Sequence, residues 1–152
     1  MNRPRNGNSR PSGLAKQSRH KKALFLPMDR AAANELVLPV GIAFERIRQG
    51  KPDRDAAVCM AQILLLVGYL TEGGFGLLET AFLDGVEKRL LTELTRSGGD
   101  VERKFAVDLV DELAAIVNEY DRLVRETRLQ AIVKANESFS RLKATSQQSG
   151  KI

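Results

Sequence analysis

The chain has 152 residues, 24 Lys and Arg against 19 Asp and Glu, no tryptophan, and a single cysteine, Cys59. That length suits one domain with a real core, and one cysteine excludes an intrachain disulfide and fits a reducing compartment. With few aromatics, packing falls to Leu, Val, Ile and Ala, which alongside abundant Glu, Lys and Arg favour helix over sheet.

Charge is segregated along the chain. Residues 1–22 hold seven cations (Arg3, Arg5, Arg10, Lys16, Arg19, Lys21 and Lys22) and no acid. This Arg, Lys, Asn, Ser, Gly and Pro-rich segment has little to bury, so it reads as a disordered basic tail. Its local field suits polyanions such as nucleic acid. No aromatic is interleaved with these cations, so contact would be electrostatic and tolerant of base sequence. Residues 23–126 carry 12 basic and 18 acidic side chains, and residues 127–152 carry five basic and one acidic. A weakly acidic body therefore lies between two basic ends.

At HKKALFLPM the tail runs directly into apolar Leu24, Phe25 and Leu26. These read as an anchor plugged into the body, with Pro27 holding Leu26 extended. Asp29 is placed to cap a helix from about Arg30 to Gln49, stopped at Gly50. Pro39 should kink that helix or split it at Leu38. A second helix, from the cap Asp53 to about Thr71, is apolar nearly all round and should be the central buried element. Cys59 lies in it and reads as a small core residue. The glycines of EGGFG, residues 72–76, mark a turn.

The third helix, about Leu77 to Arg96, places Leu78, Ala81, Phe82, Val86, Leu90 and Leu94 on one stripe. SGGD, Ser97–Asp100, ends it and caps the next. The last helix reads as unbroken from Val101 to about Lys143, since no Gly or Pro interrupts it. At that length it would span about 60 Å, more than three shorter helices can cover. The uncovered part should therefore fray, fold back or meet another chain, and Leu113, Ile116, Tyr120 and Leu123 are the stripe expected to form the interface if it pairs. Glu102, Asp108, Asp111, Glu112, Glu119 and Asp121 crowd its first half. Arg122, Arg125, Arg128, Lys134, Arg141 and Lys143 crowd its second. That layout suits the helix dipole, and equally an antiparallel homodimer with acidic half against basic half. The expected architecture is all-α: a four-helix bundle-like domain over 23–143 with a long C-terminal helix, the tail 1–22, and a flexible end at 144–152.

The run KKALFLPM, the helix ending in ERIRQGK, the helix ending in LTEGGFG, the RSGGD stop and the long charged helix occur in an order that resembles a known group. These are small phage- and plasmid-type bacterial proteins often labelled "Fis family transcriptional regulator". The resemblance spans roughly residues 19–140, and GGFG and RSGGD stand for that family's GIG-like turn and RTG-like stop. It implies a regulatory protein of a mobile element. The residues themselves argue against helix-turn-helix reading of DNA. The C-terminal region reads as one helix without a turn, and EGGFG joins apolar helices with no Arg or Lys between Arg54 and Lys88.

Catalytic signatures are missing. The one histidine, His20, sits in the tail, where it cannot serve as a fixed base of a Ser-His-Asp or Cys-His site or join a metal cluster. Carboxylate pairs such as Asp53 with Asp55 and Asp111 with Glu112 lie at a helix start or on solvated helix surface. EGGFG lacks the Gly-Lys-Ser/Thr of a phosphate loop. The sequence thus points to a non-catalytic regulatory or adaptor protein, with no metal and no cofactor, that contacts nucleic acid through its tail. The alternative is a helical protein–protein module acting as a homodimer. No signal-type apolar core follows the charged N-terminus, and the run Ile63–Leu70 is short for a bilayer. A soluble, cytoplasmic protein is expected.

Overall fold

The computed structural model describes residues 22–96 and 104–149. The fold is all-α. After a short helical turn at 22–25 come α1 (Arg30–Arg48), α2 (Arg54–Glu72), α3 (Thr80–Arg96), α4 (Val107–Glu126) and α5 (Leu129–Ser149). The tail cations Arg3, Arg5, Arg10, Lys16, Arg19 and Lys21, the SGGD turn and the expected helix start at Val101 lie outside the described residues.

Two helix starts follow from capping chemistry. Asp29 accepts the Ala32 N–H at 2.7 Å, and Asp53 accepts the Ala56 N–H at 2.7 Å. Each satisfies one backbone donor that a helix leaves open at its first turn. Of the two outcomes expected at Pro39, a kink or a split, the split does not occur: Pro39 lies inside a single α1. The carbonyl it leaves unbonded belongs to Glu35, and both residues are exposed, so water can take that bond.

α2 is the centre of the bundle and packs against α1, α3, α4 and α5. Ala56, Ala57, Met60, Ile63, Leu64, Val67 and Leu70 are all buried. By length and composition α2 could cross a membrane, but it is partly buried against the other helices, as the core helix of a bundle is. Of the stripe expected on α3, Val86 and Leu90 are buried, and Leu78, Phe82 and Leu94 pack partly buried on the core; Leu83 joins it and Ala81 is exposed.

The turn after α2 depends on glycine at two places. Gly74 has φ +89°, the left-handed region that side chains disfavour. At Gly76 a Cβ would collide with the Thr71 side chain and lie 2.9 Å from its Cα.

The largest departure from the sequence reading is at the C-terminal end. The expected single helix is two, broken at Thr127 and Arg128. Thr127 is extended (φ −87°, ψ 141°) and buried, while its N–H still caps α4 on the Leu123 carbonyl at 2.9 Å. The clip causes the break to persist. Pro27 and Arg128 form an isolated antiparallel bridge, and Leu129 N–H donates to the Leu26 carbonyl at 2.9 Å. Backbone groups that a continuous helix would have satisfied are taken by a distant segment instead.

The clip therefore works through its backbone and not through the plug that its sequence suggested. Phe25 and Leu26 are each 60% exposed, and Met28 is the clip residue packed on the core. α5 continues to Ser149, into the segment 144–152 that was expected to be a flexible end.

Candidate nucleic-acid interface

The break redirects the stripe assigned to a partner chain. Leu113, Ile116, Tyr120 and Leu123 are 0%, 1%, 6% and 0% exposed, covered by this chain's own helices. They form an intramolecular core and are not an association surface. α4 can lie fully on α1, α2 and α3 because it ends at Glu126.

Asp108, Glu112, Glu119 and Asp121 of the acidic half are likewise used internally. Arg89 of α3 bonds Asp108 at 2.9 Å and Glu112 at 2.6 Å, tying the start of α4 to α3. Arg125 pairs with Asp121 at 2.6 Å and donates to Asn34 of α1 at 2.8 Å. Glu119, only 6% exposed, accepts the Leu77 and Leu78 N–H groups at 2.8 and 3.2 Å and Arg122 Nε at 2.6 Å. Arg122 also donates to the Phe75 carbonyl at 3.2 Å, so this ion pair locks the glycine turn onto α4. Burial pushes the Glu119 carboxyl up, but the Arg122 hydrogen bond and charge with the two N–H donors outweigh it and hold the pKa low. Sequence reading counted this residue among the acids of the last helix and missed its burial. The signal was its spacing, three after Ile116 and four before Leu123, which sets a carboxylate on the apolar stripe with Arg122 one turn away.

α5 is different. Its buried face is Ala131, Ile132 and Ala135, packed on α2. Arg128, Lys134, Arg141 and Lys143 are exposed, and none forms an ion pair among the described residues. Glu137 is the one acid between Thr127 and Thr145. The first turn of α5 carries no acid, so the positive end of its dipole stays uncompensated there.

These cations begin where the tail ends. Lys22, the described member of the tail cations, is exposed and lies on the helical turn leading to the Pro27–Arg128 bridge. Two basic segments far apart in sequence are thereby rooted at one junction. Beside it lies a cleft of about 420 Å³ between the end of α2, the glycine turn and the first turns of α5. Tyr69, Phe75, Arg128, Gln130, Lys134 and Ser138 line it, with Glu72 on the α2 side. The Arg128 guanidinium sits 5.9 Å from the Phe75 ring centre, within cation–π range.

Among the described residues no three His, Cys, Asp or Glu side chains gather as a metal site. Cys59 is half-buried, and burial raises its thiol pKa. Compared with known protein families, curated proteins and solved structures, the chain matches none.

Proposed function

We propose that the protein is a non-catalytic regulator or adaptor, of the mobile-element type its sequence resembles, that engages nucleic acid in the cytoplasm through a basic pole. That pole comprises the tail cations Arg3 to Lys22 and the α5 cations Arg128, Lys134, Arg141 and Lys143. The observation that carries this reading is the Pro27–Arg128 bridge, which roots the tail at the start of a helix whose cations are unpaired among the described residues. Unpaired cations release counterions on meeting phosphates, whereas the paired arginines of α4 would first have to leave their carboxylates.

Fluorescence anisotropy with a labelled 20-base-pair duplex at two salt concentrations tests it. Deleting residues 1–22 removes seven cations and moves the formal charge from +5 to −2. If four tail cations meet phosphates, log K against log salt should have a slope contribution of about −3.6, lost on deletion. Undiminished binding by the truncated chain would remove the tail from the interface.

A second reading, a protein–protein module without a nucleic-acid role, draws on another surface. Leu38 and Ile42 of α1 are 65% and 50% exposed and, with Pro39 and Cys59, line an apolar groove against α2. Retention of duplex binding at Leu38→Asp would separate that groove from the basic pole.

A further inference from the structure

We infer that the junction of clip, glycine turn and α5 is a stacking site for single-stranded nucleic acid; this rests on the nucleic-acid reading above. Sequence reading found no aromatic among the tail cations and expected Phe25 to be buried. The structure instead leaves Phe25 60% exposed, three residues after exposed Lys22. Its neighbour Leu26 is hydrogen-bonded to Leu129, which places Phe25 at the root of the α5 cations. A second aromatic group lies across that junction, where Phe75 and Tyr69 line the cleft and Arg128 stands over Phe75.

One exposed ring, Phe25, two half-buried rings at the cleft, and cations without ion pairs among the described residues match what an unpaired strand offers. Every base has a face that stacks on an aromatic ring or guanidinium plane, while the phosphates between bases meet the cations. A duplex keeps its bases stacked inward and presents only phosphates and groove edges, so it would use the cations and leave the rings idle. The cleft volume falls in the range used by small planar ligands, enough to receive a splayed base. Glu72, on the α2 side, opposes a phosphate there, so the backbone should track Arg128 and Lys134 and a base should point toward α2.

The test uses the full chain and a labelled 12-nucleotide strand of mixed sequence, alone and annealed to its complement. Phe25→Ala should weaken single-strand binding by about five- to a hundredfold and leave duplex binding within about twofold. Phe25→Trp should restore the single-strand affinity. Because Phe25 is largely exposed, its substitution should leave the fold intact; Phe75→Leu, which keeps an apolar side chain but no ring, should weaken the single strand in the same selective way. If Phe25→Ala and Phe75→Leu change neither affinity, or lower both equally, the stacking site is wrong while basic-pole binding stands. If the unaltered chain binds neither form, the nucleic-acid reading itself fails. Altered sedimentation of Phe25→Ala with unchanged single-strand binding would reassign the ring to a protein contact and overturn the inference.

Discussion

α4 and α5 read as one helix in sequence, yet they differ in burial and in how their cations are paired. α4 buries seven residues and pairs Arg122 and Arg125 with carboxylates of its own. α5 buries three near its start and leaves its cations unpaired among the described residues, and every residue from Ser140 to Thr145 is exposed. Charge alone does not distinguish the two helices; the distinction is whether each cation already has a partner. A surface ion pair contributes little stability, but it does hold an arginine's charge away from a ligand.

The comparison breaks most sharply at the core. Leu123→Ala in α4 removes a fully buried side chain and should cost about 2–5 kcal/mol in urea unfolding. Leu142→Ala in α5, at a residue 44% exposed, should stay within about 0.5 kcal/mol. Comparable losses would mean that α5 is as embedded as α4.

Next comes the buried carboxylate. Glu119→Ala leaves the Leu77 and Leu78 N–H groups and Arg122 Nε without their acceptor, and should cost about 1–3 kcal/mol near neutral pH. The pH dependence has a definite sign. The Glu119 pKa is lower in the fold than in the unfolded chain, where a glutamate titrates at about 4.3. Its stabilisation is therefore present above that value and lost as pH falls through the folded-state pKa. Unfolding curves of the two proteins should converge in acid, and a gap that widens there would contradict the pairing.

Binding sharpens the same contrast. Removing Lys134, Arg141 and Lys143 together should flatten the salt slope for duplex binding by about 2.7 if each meets a phosphate. Arg125→Ala, taken from a helix whose cations are already paired, should change that slope by well under one. Equal effects would show that pairing does not govern which cations the ligand meets.

The smallest effect should be on stability at the clip. Phe25→Ala ought to shift unfolding by less than about 0.5 kcal/mol, since the ring is mostly in water. A loss of several kcal/mol would restore the buried plug that the sequence suggested.

What the sequence determined by itself is local. Asp29 and Asp53 cap helices because a carboxylate three residues before an open N–H needs nothing else. The apolar run of α2 made it the central element wherever its neighbours came from, and segregation of charge into acidic body and basic ends is a property of the chain. Tertiary structure decided the rest. No glycine, proline or cap marks Thr127, because that break is held by Leu26 and Pro27 from the other end of the described chain. That one contact turned an expected association surface into core, left Phe25 in solvent, and brought the root of the basic tail to α5. A helix end specified by a partner remote in sequence leaves no local pattern to read, since hydrogen-bond satisfaction there is settled only when the two segments meet.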